Sequence, residues 1–237
     1  MSVSRNHDVE SAPALRGGQF PAAGEGPALS LWALVAGLPA VLLTLITWQV
    51  VAHGPLLRAD REVSDALVHP DRGSQLLADL GNVPVAVPVL VVVLGYVARR
   101  GRAARARRWW LPPLAAAVLM AVLPAFVVPL KEWTARQGTS VVPPGTGYYP
   151  SGHTATAAVA YGSATLVSLP WLRTALARRA AVVLCALLVL GVSFGLVRHG
   201  YHWPLDVVAS WCLCAVLLSG LCWVVRGPVG RGGRRSP

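Results

Sequence analysis

Three groups of polar side chains in this chain have the types and spacing to handle a phosphate. Pro150-Ser151-Gly152-His153 stands where a proline- and glycine-rich loop runs into a long apolar segment. Pro150 discourages helix before it and Ser151 is a good N-cap. The free N–H groups of a helix start would then lie beside Gly152, where an anion can come close to the backbone. His153 adds a group that gives and takes protons near neutrality. Upstream lie Lys131, the single lysine of the sequence, and Arg136; downstream come Arg198, His199 and His202, with Asp206 four residues beyond His202. Pro204 suits the first turn of a helix and puts Asp206 in that turn. A carboxylate there can hold one imidazole nitrogen of His202 and leave the other with a free lone pair, the arrangement of a nucleophile and its orienting group.

Each feature also has a plainer reading. Ser151 could cap an ordinary helix, Asp206 could be an acid favoured at a helix N-terminus, and Lys131, Arg136 and Arg198 could be snorkelling anchors. As ligands, the same cations would neutralise a phosphate, the arginines through forked hydrogen bonds. Which reading holds depends on whether the clusters meet, and that depends on the elements that carry them.

The chain is 54% hydrophobic and 13% charged, against roughly 25% charged for an ordinary soluble domain. Apolar runs fall at about Leu29–Val51, Leu80–Ala98, Trp109–Leu130, Thr154–Leu172, Ala180–Val197 and Val207–Val225. Each approaches the roughly 20 residues that span a bilayer as a helix. The fourth has the weakest signal because of Tyr161, Gly162, Ser163 and its threonines. The expectation is an all-α, polytopic membrane protein with one six-helix domain over 29–226. A polar leader, 1–28, is expected to be disordered, and 227–237 forms a basic tail. The first run starts too far in to resemble a cleaved signal peptide and reads as a retained span.

A net charge of +11 could point to nucleic acid, but the arginines argue against that partner. Arg99, Arg100, Arg102, Arg105, Arg107 and Arg108 crowd one loop, Arg173, Arg178 and Arg179 another, and Arg226, Arg231, Arg234 and Arg235 follow the last span. These are alternate loops, so the positive-inside rule puts them and both termini in the cytoplasm, with the chain in the inner membrane. Loops of about 52–79, 131–153 and 198–203 then face outward together, and every polar cluster named above falls on that one face. Within the first of these, Leu57–Val68 reads as a short amphipathic helix that packs one face on the bundle. Cys185, Cys212, Cys214 and Cys222 all lie in spans and read as core packing, with neither disulfide nor zinc. No metal or cofactor is expected.

The order Lys131…Arg136, Pro150-Ser151-Gly152-His153 and His202-Trp203-Pro204-Leu205-Asp206 resembles the type-2 phosphatidic acid phosphatase family over roughly residues 55–225. Members are six-span lipid phosphatases related in fold to vanadium haloperoxidases. Two positions depart from the family pattern. Gly138 and Thr139 stand where it has arginine-proline, with Arg136 matching a second arginine two residues earlier. Leu196 stands where it has an arginine ahead of the last histidine, with Arg198 two residues on. The resemblance implies a metal-independent hydrolysis of a lipid phosphomonoester or diphosphate, such as a polyprenyl diphosphate, phosphatidate or phosphatidylglycerol phosphate. His202, oriented by Asp206, would form a phosphohistidine, and His153 would act as acid and then base. Lys131, Arg136, Ser151, Gly152 and Arg198 would hold the phosphate. The alternative is a non-hydrolytic lipid-phosphate binder or transporter that kept the fold.

Overall fold

The computed structural model describes residues 27–226, which form eight α-helices and no strand. In chain order they are α1 (Pro27–Val51), α2 (Leu56–Leu67), α3 (Arg72–Asp79), α4 (Val83–Ala103), α5 (Leu111–Thr134), α6 (Gly152–Ser168), α7 (Ala175–His199) and α8 (Pro204–Arg226). Apart from its last two positions, the expected disordered leader lies outside the described residues, as does the basic tail 227–237.

Five of these helices, α1, α4, α5, α7 and α8, are long and apolar enough to cross a membrane. Their outer faces carry exposed Leu, Val, Phe and Trp side chains such as Val92, Phe126, Leu187 and Trp223. That is the pattern of helices whose solvent is lipid. The sixth expected span, α6, has 17 residues, extended by a 3₁₀ turn over Leu169–Trp171. It occupies the centre of the bundle, against α4, α5, α7 and α8, and every residue from Thr154 to Ala164 is buried. Its Ala, Gly, Ser and Thr content lets neighbouring helices approach closely. A helix that meets protein on all sides has no need of the large apolar side chains that lipid contact favours, which accounts for its weak hydropathy.

The segment between α1 and α4 is more structured than expected, since it holds both α2 and α3. The inward face of α2 is Leu57, Asp60 and Ser64, spaced three and four apart, while Val63 and Leu67 are exposed. The amphipathic helix is therefore present, but a carboxylate shares its buried face. Asp71 caps α3 through a reciprocal capping box with Ser74. α3 then lies flat on the end of α7, where Gly195 brings the two backbones together: a Cβ there would stand 2.6 Å from the Ser74 carbonyl oxygen.

Candidate active site

The two histidines sit at the starts of neighbouring helices. His153 is the second residue of α6, and His202 lies in the short connection between α7 and α8. Gly200 makes that connection possible by closing α7 in the left-handed region, at φ 82°. The two helix starts are stapled together. Ser151 N–H donates to the Asp206 carbonyl at 3.1 Å. The Ser210 hydroxyl lies 2.9 Å from the carbonyls of both Ser151 and Asp206.

His202 Nδ1 faces Asp206 Oδ2 at 3.2 Å, and the carboxylate is wholly buried. The same oxygen accepts from Trp203 N–H at 3.2 Å, and Oδ1 accepts from Arg136 Nη1 at 2.5 Å. An ionised carboxylate can only accept, so Nδ1 carries the proton and Nε2 keeps its lone pair.

His153 and His202 share the wall of a cavity of about 980 Å³ bounded by α4, α5, α6 and the loop before α6. Its polar end holds Lys131, Gly147, Tyr148, Gly152 and the two histidines. Beyond them the walls are apolar down to Leu94 on α4 and Ala117 on α5. From Val83 to Leu94 the helix rises about 16 Å, and from Ala117 to Lys131 about 21 Å. Lys131 Nζ donates to the Gly147 carbonyl at 2.7 Å, and the Tyr148 ring stands edge-on to His202 with centroids 6.1 Å apart. A Cβ on Gly152 would find Lys131 Cε as its nearest neighbour, at 4.0 Å. Space for an anion therefore lies between the lysine and the start of α6, whose first N–H groups have no intrahelical acceptor.

The other expected phosphate ligands are placed differently. Ser151 is fully buried, and its hydroxyl accepts from Thr154 N–H as the cap of α6, so it does not line the cavity. Arg136 also stays off the cavity wall. Its two Nη atoms are bound by two carboxylates, Asp206 on one side and Asp60 on the other. Arg198 pairs with Asp71 at 2.9 Å in a partly exposed ion pair, and neither residue lines the histidines' cavity. His199, left open by the sequence, has its Nδ1 3.1 Å from Ser74 Oγ and its ring against Tyr201, bracing α3 on α7. Among the described residues lining the cavity, Lys131 is the single lysine or arginine.

The two departures from the family pattern have steric counterparts. A Cβ on Gly138 would lie 2.4 Å from Val142 Cγ2 and 2.8 Å from the Tyr148 ring, so that position has room for no side chain while Tyr148 is in place. Leu196 is 1% exposed, inside the apolar core. The Thr139 hydroxyl donates to the Gly200 carbonyl and ties the loop before α6 to the turn that carries His202.

Asp60, Thr139 and Tyr148 carry no sequence signal as site residues, Thr139 standing out only as a departure from the family pattern. Only the three-and-four spacing of Leu57, Asp60 and Ser64 could have flagged the first, and nothing local flags the other two. Burial pushes the Asp60 carboxyl above its ordinary value, against the pull of Arg136 and of Leu205 N–H. Burial likewise raises the Tyr149 phenol to about 12. It stays protonated and pairs with the Thr47 hydroxyl at 2.7 Å, which anchors the loop to α1.

Apolar spanning helices around a small-residue core define an all-α, multi-pass membrane protein. Residues 124–228 match the family model described as PAP2, the PAP2 superfamily, and the match supports the resemblance to type-2 phosphatidic acid phosphatases that the histidine motifs carry. The fold is similar to a crystal structure described as the first transmembrane PAP2 type phosphatidylglycerolphosphate phosphatase from Bacillus subtilis. The TM-score is 0.62 at 20% identity, covering 84% of this chain and 98% of that one. No curated protein matches the chain.

Proposed function

We propose that this protein hydrolyses the phosphate of a membrane lipid on the extracytoplasmic face, through a phosphohistidine on His202. The observation that carries the reading is the meeting of His202–Asp206, His153 and Lys131 at the polar end of a long apolar cavity. A lipid could lie with its tail between α4 and α5 and its phosphate between Lys131 and the start of α6.

In the first step His202 Nε2 attacks phosphorus while the bond to the leaving oxygen breaks and His153 supplies that oxygen's proton. In the second, His153 takes a proton from water, which attacks phosphorus as the N–P bond breaks. Asp206 holds the imidazole throughout and balances the charge it gains. Lys131 and the N–H groups at the start of α6 stabilise the charge on the transferring group. The carboxylates of Asp60 and Asp206 are both taken up by Arg136, which fits a route that needs no metal.

The test is phosphate release in detergent with EDTA from a panel of lipid phosphates, comparing the native chain with His202→Ala and His153→Ala. Release is expected from the native chain alone. Binding of the lipid phosphates without release would favour the binder or transporter, and release by His202→Ala would remove it as the nucleophile.

A further inference from the structure

Asp60 lies on α2, outside the segment that matches the family model, yet its side chain is completely buried beside the site. Oδ1 accepts from Leu205 N–H at 2.8 Å, and Oδ2 accepts from Arg136 Nη2. Arg136 in turn donates to Asp206, which faces His202. The guanidinium is closed in on a third side by Trp203, 5.6 Å from the ring centroid. Four side chains thus form one chain of contacts from α2 to His202.

The charges along this chain matter more than the contacts. Arg136 and Asp206 alone would cancel, and a neutralised carboxylate stabilises a positive imidazole poorly. With Asp60 added, two carboxylates share one guanidinium, and the buried cluster carries a net charge of −1. A charge of that sign suits a histidine that becomes cationic on protonation or phosphorylation. We propose that Asp60 is a positioning residue that sets the charge behind His202: by sharing Arg136 with Asp206 it keeps the guanidinium from neutralising that carboxylate fully, so that Asp206 can support a positive imidazole. The inference rests on the reading of His202 as nucleophile. The titratable groups around the cluster on neighbouring elements include Lys131, His153, Tyr148, Tyr149, Asp71, Asp79, Arg198, His199 and Cys212, and none is altered in the test; residues 34–51 of α1 contribute none.

The sign of the effect can be set by three variants. Asp60→Asn keeps an acceptor for Leu205 N–H and brings the cluster to zero. Arg136→Gln brings it to −2, and the double variant returns it to −1. A proton on the histidine is held less tightly in the first, more tightly in the second and about normally in the third. The acidic limb of kcat/KM is expected to move to lower pH in Asp60→Asn, by roughly half to one unit, and to higher pH in Arg136→Gln. In the double variant it returns towards its native position. kcat is expected to fall about tenfold or more in Asp60→Asn, with KM within about threefold. NMR of ring-labelled histidine, assigned with His202→Asn, follows the same titration without needing activity.

A brace of purely structural value predicts otherwise: lower thermal stability, an unmoved titration, and a double variant worse than either single one. That pattern would overturn the assignment of Asp60. If the native chain releases no phosphate, the functional reading fails, while the ring titration still decides on Asp60.

Discussion

Lys131 reaches the cavity, while Arg136 and Arg198 are held elsewhere by carboxylates. Phosphate recognition therefore falls on one ammonium group, the start of α6 and the two histidines. Lys131→Ala should lower kcat/KM for lipid phosphate release by about a hundredfold, the scale of one lost oxyanion contact. Arg198→Ala should lower it less than about tenfold, because Arg198 is partly exposed and binds Asp71 at the surface. Steady-state kinetics on both variants checks the order, and an equal loss would return Arg198 to the phosphate. The pairing of His202 with Asp206 was legible because it depends on four residues of local spacing and a helix-starting proline. The arginines were not legible in the same way. What a guanidinium binds depends on which carboxylates the fold brings to it, and Asp60 is 76 positions from Arg136.

The helices that place these side chains were read from apolar runs, and that signal reports contact with lipid. It worked for α1, α4, α5, α7 and α8 and faded for α6, which is enclosed by the others. It carried no information about α3, whose eight residues are polar on average and dock through a glycine instead. At Gly195 an added Cβ would meet backbone on α3, the Ala78 nitrogen at 2.7 Å, and the backbone cannot swing aside as a side chain does. At Gly191, one helical turn earlier, it would meet only Leu77 Cδ2 at 3.4 Å, an ordinary contact. Gly195→Ala should therefore cost about 1–3 kcal/mol as α3 is pushed off α7. Gly191→Ala should stay within about 1 kcal/mol of the native chain. Thermal unfolding in detergent separates the two; similar stabilities would mean that α3 floats on α7.

At the scale of the whole molecule the bundle is electrically polar. The end that carries the cavity's polar groups collects the C-termini of α5 and α7 and the N-termini of α4, α6 and α8. The end of α1 joins them, through Ile46 and Val50 packed with Tyr149 and Ala209. The opposite end gathers Arg99, Arg100 and Arg102 at the end of α4, Arg105, Arg107 and Arg108 just after it, Arg173, Arg178 and Arg179 around the start of α7, and Arg226 at the end of α8. Acidic partners compensate the arginines Arg136 and Arg198 at the site end, whereas among the described residues the far-end arginines have no ion-pair partner. Basic residues in short loops resist translocation, so the arginine-rich end should stay in the cytoplasm. A reporter active only outside the membrane, fused after Arg235, is expected to be silent, and the same reporter inserted after His53, between α1 and α2, is expected to be active. Replacing the six arginines from Arg99 to Arg108 with glutamine removes much of the bias and should let a fraction of chains insert in the reverse sense. A signal after Arg235 in the native chain would put His153 and His202 on the cytoplasmic side. It would leave their geometry unchanged and change which leaflet could present a lipid phosphate to them.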